Sequence, residues 1–159
     1  MKSKKQKGFS LIELLIVVAI ILIIAAIAIP KLLASRGRSV ESAAAGSLRS
    51  ATTALVAYQN KYQAFPATLD MLGGDCSTTA PTAAKSCQMD DAIVQGMATG
   101  AFGSYKWTFQ QTLSGGGFTL NADPSASAGR YVTEHFYADE GITLHQNNTA
   151  SASAADPTL

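Results

Sequence analysis

One carboxylate stands at the edge of a long apolar run near the N-terminus. Glu13 follows Leu11 and Ile12, and sixteen uninterrupted apolar residues extend from Leu14 to Ile29. A carboxylate within a membrane helix costs about 2.5–3.5 kcal/mol on insertion scales, so it is expected to have a partner. Glu13 is therefore the first residue in this chain whose type and position point to a function.

The apolar run is long enough to cross a bilayer. With the three residues before it, it comprises nineteen residues. A helix of that length covers about 28 Å, close to the hydrocarbon thickness. Four lysines precede it at positions 2, 4, 5 and 7. The positive-inside rule then places the N-terminus in the cytoplasm and everything after Ile29 on the other side of the membrane.

Two simpler interpretations compete with a specialised role. A secretory signal peptide also begins basic and becomes apolar, but its apolar region usually has 7–15 residues and does not open with a carboxylate. A plain single-span anchor explains the length and orientation of the segment. It leaves the Gly8-Phe9 pair and Glu13 unexplained.

Residues 7–20, KGFSLIELLIVVAI, and residues 25–30, AAIAIP, closely resemble the N-terminus of type IV pilins and of type II secretion pseudopilins. The resemblance is specific over about residues 4–50. It implies that a prepilin peptidase removes a leader, residues 1–8, by cutting between Gly8 and Phe9, and N-methylates Phe9. It also implies that Glu13 meets the new N-terminal amine of a neighbouring copy during assembly.

The chain as a whole predicts an α+β fold of the pilin type. Residues 9–30 are expected to form the transmembrane part of one long helix. A kink is expected at Pro30, because proline removes a backbone hydrogen bond. Residues 31–63 continue the helix with an amphipathic period. Its apolar stripe consists of Leu33, Val40, Ala44, Leu48, Ala51, Leu55, Tyr58 and Tyr62.

The second half of the chain predicts loops followed by a small antiparallel sheet of three or four strands. Residues 64–104 are rich in loops, with short helices over 68–72 and 90–97. Apolar and polar residues alternate along parts of residues 105–146, which predicts strands there, including strand-like stretches at 130–133 and 135–137. Residues 147–159 are rich in alanine, serine and threonine and predict a flexible tail.

Cys76 and Cys87 have a spacing that suits a disulfide closing a short loop and does not match a CxxC metal or redox motif. Two free thiols in a reducing cytosol are the alternative, but export of this region favours a disulfide.

Other candidate sites are weaker. Asp139 and Glu140, with Asp123, are candidates for calcium, although acidic turns are usually only solvated and no EF-hand spacing occurs. His135 and His145 are isolated, and no catalytic constellation, nucleotide loop or metal motif is present. No cofactor and no enzymatic activity are therefore expected.

Charge does not favour a nucleic-acid surface. Twelve Lys/Arg and eleven Asp/Glu residues give a net charge of +1, but four of the lysines lie in the leader. Without residues 1–8 the chain has eight basic and eleven acidic residues, a net charge of −3. A mildly acidic head lacks the basic face that phosphate binding requires.

The resemblance to type IV pilins implies a structural subunit of a type IV pilus, serving adhesion, twitching motility or DNA uptake. Its expected partners are copies of itself in a helical homopolymer, the prepilin peptidase, the inner-membrane assembly platform and membrane lipid before assembly. The precursor is expected in the inner membrane and the product in an extracellular filament. A type II secretion pseudopilin is one alternative. A single-span membrane protein whose head binds a ligand is another.

Overall fold

The computed structural model describes residues 9–77, 80–100, 102–112 and 116–159. The described residues up to Arg36 form one compact unit, and Gly37–Leu159 form a second, which we call the head. One helix, α1 (Leu11–Tyr62), contributes to both units. In the head it is followed by a 3₁₀ turn (Leu69–Leu72) and a short helix, α2 (Asp91–Ala98).

Four strands complete the head. They are β1 (Tyr105–Thr112), β2 (Gly117–Pro124), β3 (His135–Asp139) and β4 (Leu144–Asn147). They form an antiparallel sheet in the order β1-β2-β3-β4. The predicted fold class, a long helix with a small antiparallel sheet, is confirmed.

The helical period of α1 builds one side of the core. Ala44, Leu48, Ala51, Leu55 and Tyr58 are buried in one hydrophobic cluster with residues of the sheet. Full burial of a leucine such as Leu48 or Leu55 contributes about 1.5–3 kcal/mol to folding. The predicted stripe is thus confirmed over these residues, and Val40 and Tyr62 pack at its margins.

Leu33, the first residue of the predicted stripe, does not join this core. It is 40% exposed and lies in the first unit, before the amphipathic part of the helix begins to be buried. The helix ends at Tyr62, ahead of Phe65-Pro66. Gln63 follows with a φ of 62°, and its N–H donates to the carbonyl of Gln59. Such a left-handed residue is a common helix terminator.

The alternation in β1 gives the sheet its buried face. Tyr105 and Trp107 point inward, and the register places Trp107 beside Ala122 and Phe109 beside Leu120. A small residue next to tryptophan leaves room for the indole ring. The tyrosine hydroxyl of Tyr105 donates to the carbonyl of Glu134, which satisfies its polar end in the core.

The stretch 130–133, predicted to be strand-like, is not a strand. It forms a turn and an extended connection before β3. The backbone N–H groups of Thr133 and Glu134 donate to the Glu41 carboxylate on α1, at 2.8 and 3.2 Å. Because these donors are used by a side chain, they cannot take part in a strand ladder.

Residues 147–159, for which the composition predicts a flexible tail, return alongside β4. The N–H of Gln146 donates to the carbonyl of Pro157, and the N–H of Leu159 donates to the carbonyl of Leu144. Ala152 is buried, and its carbonyl accepts from the side chain of Asn121. Composition alone missed this segment because its anchors are backbone groups and a few polar side chains, such as Asp156, which accepts from Asn147, and these form no local pattern.

Candidate assembly site

The N-terminus of α1 is capped by its own glutamate. Ser10 precedes the helix, and its carbonyl accepts from the N–H of Leu14 at 3.2 Å. Its N–H donates to Oε2 of Glu13 at 2.9 Å. A glutamate at the third helical position that reaches back to the N-cap residue forms half of a capping box. In the full-length chain Glu13 therefore already has one partner, the backbone that begins the helix.

The predicted cleavage junction lies just before this cap. Phe9 is outside the helix and its side chain is 80% exposed. Gly8 lies outside the described residues. On the described side of this junction, Phe9 and Ser10 both precede the first helical residue, Leu11. Cleavage between Gly8 and Phe9 stays a prediction, and so does the assembly role of Glu13.

The helix beyond Glu13 exposes a long apolar surface. Large apolar side chains from Leu11 to Leu33 are 40–80% exposed, on all sides of the helix. The most apolar 18-residue window has a mean hydropathy of 3.3, and α1 is the one helix in the described residues that is long and apolar enough to span a membrane. Such a surface must be covered by lipid or by other protein.

Pro30 lies inside this helix, which continues on both sides of it. Proline has no N–H to donate to the carbonyl four residues earlier, so the carbonyl of Ala26 has no partner in the helical ladder. The predicted kink stays a prediction. The helix therefore lacks one backbone hydrogen bond at this point.

The disulfide between Cys76 and Cys87 is confirmed, with the two Cα atoms 5.8 Å apart. It closes a loop beside the 3₁₀ turn and α2. The N–H of Cys87 donates to the carbonyl of Gly73, and the N–H of Gly74 donates to the carboxylate of Asp91 in α2. The bridge therefore fixes the loop to elements that are already hydrogen-bonded to each other.

An ion pair supports the same region. Lys85 Nζ lies 2.8 Å from Oδ2 of Asp70 in the 3₁₀ turn, and Gln95 of α2 also contacts this carboxylate. The hydrogen bond from Lys85, strengthened by that from Gln95, lowers the pKa of Asp70 below its usual value.

The calcium candidates are not brought together. The sheet register pairs Asp139 with Thr119, near the start of β2, whereas Asp123 lies at the end of β2. Asp123 Oδ1 instead accepts from Ser151 and lies 2.7 Å from Nδ1 of His135. Within the described residues, no group of three His, Cys, Asp or Glu side chains is arranged to hold a metal ion.

Two contributors to the head were missed by sequence reasoning. Glu41 lies outside the predicted apolar stripe of α1, and its carboxylate holds the chain before β3 through two backbone donors. Gly37 is the second such residue, and by type alone a glycine only weakens a helix. It is buried, and the carbonyl of Tyr131 packs directly on its Cα. Neither role has a local sequence signal, because the partners lie more than ninety residues away along the chain.

Comparisons with known proteins give two matches. Residues 3–29 match the family model described as the prokaryotic N-terminal methylation motif. A stretch of 73 residues is 45% identical to the type IV wide pilus major component PilA4 of Thermus thermophilus, covering 44% of this chain and 56% of that protein. The chain thus matches little more than half the length of this curated relative. No solved structure gives a significant match. The two matches confirm the predicted resemblance to type IV pilins.

Proposed function

We propose that this chain is the structural subunit of a type IV pilus and that it polymerises with copies of itself. The observation that carries the proposal is the first unit. It combines a methylation motif over residues 3–29 with a helix whose apolar side chains are exposed on all sides from Leu11 to Leu33. A surface of this kind suits lipid before assembly and other copies of the same helix afterwards.

Maturation changes the partner of Glu13. The peptidase cuts between Gly8 and Phe9, and the new amine is then one residue before the Ser10 N–H that Glu13 contacts in the full-length chain. Pairing with a positive amine offsets the cost of a carboxylate in the bilayer, which is about 2.5–3.5 kcal/mol. The amine can belong to the same chain or to a neighbour, and in the second case it sets the register between two copies.

The charge of the leader fits this order of events. Residues 1–8 contain four lysines and no acidic residue. They hold the N-terminus on the cytoplasmic side until the peptidase acts. Their removal leaves the helix end with the new amine and Glu13 as its charged groups, so the mature helix can leave the membrane without a strongly basic anchor.

Transfer from lipid to filament requires that the apolar surface be covered again. Because the hydrophobic effect depends on the area removed from water, exchanging lipid for neighbouring helices costs little. The subunit then passes from the inner membrane to an extracellular filament. A cytoplasmic assembly ATPase supplies the energy, as the resemblance implies, through the inner-membrane platform.

The test compares three versions of the full chain in a pilus-producing host that lacks its own pilin. Surface fibres are sheared off and imaged by electron microscopy, and the intact mass of their subunit is measured. The wild-type chain should form long fibres whose subunit lacks residues 1–8 and carries one extra methyl group. A subunit that retains residues 1–8, or a chain that stays in the membrane, contradicts the proposal.

Two substitutions separate the charge of Glu13 from its capping bond. Glu13→Val removes both, whereas Glu13→Gln keeps an oxygen that can accept from the Ser10 N–H and removes only the charge. Both variants should insert in the membrane, and both should give few fibres. If Glu13→Gln assembled as well as wild type while Glu13→Val did not, the helix cap would be the important interaction, and the pairing with the amine would be refuted.

A further inference from the structure

The chain enters the head at Gly37, and basic residues lie around this point. Arg38 follows directly on α1, and Arg130 belongs to the connection between β2 and β3. Each arginine is the chain neighbour of one partner in a backbone contact, in which the carbonyl of Tyr131 packs on the Cα of Gly37. Both arginines are exposed. We call these four residues the entry patch.

Neither arginine is neutralised by the part of the head that the structure describes. The ion pairs there involve other residues. Arg130 lies over the ring of Tyr131, with its Cζ 5.1 Å from the ring centroid, and donates to the Tyr131 hydroxyl at 3.2 Å. The carboxylate nearest to Arg38 along the chain is that of Glu41, which accepts from two backbone N–H groups. The two guanidinium groups therefore keep their charge for a partner outside the head.

The chain before the head adds two more basic residues. Lys31 and Arg36 follow the apolar run on α1, and both are exposed. Between Glu13 and Glu41 the chain has three basic residues and no acidic residue. Side chains of a helix tilt toward its N-terminus, so the basic side chains on α1 lean toward the end that carries the apolar run.

The length of chain between the apolar run and the entry patch is short. Seven residues separate Ile29, the last residue of the run, from Gly37. Since α1 is helical over this stretch, these eight steps rise about 12 Å. The headgroup region on one side of a bilayer is about 5–8 Å thick, and long basic side chains extend back toward it. The entry patch is therefore within reach of the headgroups when residues 11–29 span the membrane.

Charge is unevenly distributed between the entry and the rest of the head. Around the entry, four basic and two acidic residues give a net charge of +2; they are Lys31, Arg36, Arg38, Arg130, Glu41 and Glu134. The remaining head residues comprise four basic and eight acidic residues, a net charge of −4. An anionic membrane surface attracts the entry and repels the remainder of the head, which favours one orientation.

Tyr131 suits a position at the membrane surface. Its side chain is partly buried, and its hydroxyl is bonded to Arg130. Tyrosine is enriched at membrane–water interfaces because it has an apolar ring and a polar end. An arginine that stacks on an aromatic ring keeps donors in the plane of its guanidinium, and this planar group matches the oxygens of a phosphate.

We propose that the entry patch docks on anionic phospholipid headgroups on the exported side of the inner membrane, and that this contact orients the head before assembly. The partner is the phosphate of the lipid, attracted by Arg38 and Arg130 together with the two basic residues that precede the head. The inference rests on the proposed function, because the membrane stage of the subunit brings the patch to the lipid. Assembly then releases the patch from the headgroups.

The test measures how close the entry patch lies to the headgroups. Both native cysteines form the disulfide, so a fluorophore can be attached to Ala126→Cys, an exposed position in the β2–β3 connection. The full chain is reconstituted in phosphatidylcholine vesicles with nitroxide-labelled headgroups, with or without phosphatidylglycerol. Phosphatidylglycerol should increase quenching, and raising NaCl from about 0.1 M to about 1 M should reverse this, because the Debye length falls from about 10 Å to about 3 Å. A fluorophore on exposed Asn60→Cys, near the other end of α1, should show little quenching in either vesicle.

Paired substitutions test the two arginines. Arg38→Gln with Arg130→Gln should lower the ratio of docked to free heads by about 25-fold, about fivefold for each charge near an anionic surface. Arg38→Lys with Arg130→Lys keeps the charge and should dock close to wild type. Arg49→Gln with Lys61→Gln is the matched control and should also dock as wild type. It removes two exposed cations that lie at least about 16 Å farther along α1, or about two Debye lengths at physiological salt.

The outcomes separate this contact from its alternatives. Equal quenching with and without phosphatidylglycerol, or an equal loss of docking in the Arg49→Gln and Lys61→Gln control, would overturn the proposal. If Arg38→Gln with Arg130→Gln docked normally but gave few fibres, the patch would belong to a contact between copies, and the assignment to lipid would be wrong. Unchanged melting temperatures confirm that the variants are folded. A wild-type chain that does not insert in vesicles would instead refute the membrane stage of the proposed function.

Discussion

Gly37 is the residue whose replacement gives the sharpest test of how the head is packed. It lies in α1, where an alanine would ordinarily strengthen the helix by about 1 kcal/mol. Here a Cβ would overlap the carbonyl oxygen of Tyr131 and would lie 2.8 Å from its carbonyl carbon. Because the obstacle is backbone, a side-chain rotation cannot relieve the overlap. We therefore expect Gly37→Ala to destabilise the head.

The size of this loss of stability depends on the chain segment around Tyr131, which must move to make room for the added Cβ. The chain that covers Gly37 is tied to α1 two residues later, where Thr133 and Glu134 donate to Glu41. Shifting this chain weakens hydrogen bonds to a charged acceptor, which contribute about 1.5–3 kcal/mol when fully formed. The gain in helix propensity offsets about 1 kcal/mol of the loss. The expected net decrease in the free energy of unfolding is about 0.5–2 kcal/mol.

Gly46 provides the matched control. It lies in the same helix, is exposed, and has nothing within 4 Å of an added Cβ. Gly46→Ala should therefore raise the free energy of unfolding by up to about 1 kcal/mol. Urea unfolding of the full chain in detergent measures both variants, with Trp107, the single tryptophan, as the fluorescent probe of the core. If Gly37→Ala were as stable as Gly46→Ala, the close approach of Tyr131 would be refuted.

Three further predictions concern the contacts that hold the head. Glu41→Ala should lower the stability of the head by about 1.5–3 kcal/mol, because both backbone donors lose their acceptor, whereas Glu41→Gln, which keeps a neutral acceptor oxygen, should lose less in the same urea assay. The pKa of Asp70 is lowered in the folded state, so its contribution is present above the unfolded value of 3.8 and is lost as pH falls through the lower folded pKa. Asp70→Asn should remove this part of the acid dependence in thermal unfolding between about pH 5 and pH 2, and an unchanged profile would contradict the ion pair with Lys85. Replacing both Cys76 and Cys87 with serine should cost about 2–3 kcal/mol, as expected for a loop of this length, and reductant should then have no further effect.

The parts of the fold that the sequence predicted are those with a strong local period. The spacing of Ala44, Leu48 and Leu55 indicates a helix face, and the alternation through Tyr105 and Trp107 indicates a strand with one buried side. Both patterns depend on side chains within one element. They also predicted the α+β class, since a single apolar stripe and a sheet with one apolar face can cover each other.

The contacts that sequence reasoning missed depend on groups that carry no pattern. The chain before β3 is held by the Glu41 carboxylate, and the tail is held partly by backbone donors at Gln146 and Leu159. A backbone N–H is present at nearly every position, so its use cannot be read from residue types. Ile142 lies within the stretch 105–146 predicted to form strands, but the turn after Asp139 places it in a left-handed conformation, and β4 begins only at Leu144.

The change of composition along α1 follows from what each part of the helix must contact. From Leu11 to Leu33 the large side chains are isoleucine, leucine and valine, and they are exposed in the single chain. Within the head, the buried positions of the helix are mostly small, with Gly37, Ala44, Ala51 and Ala54 beside only a few larger residues. Small residues let a helix backbone approach its neighbour closely, whereas large branched residues supply apolar area without fixing one partner. The first composition suits a surface that exchanges lipid for other copies, and the second suits a permanent contact within one head.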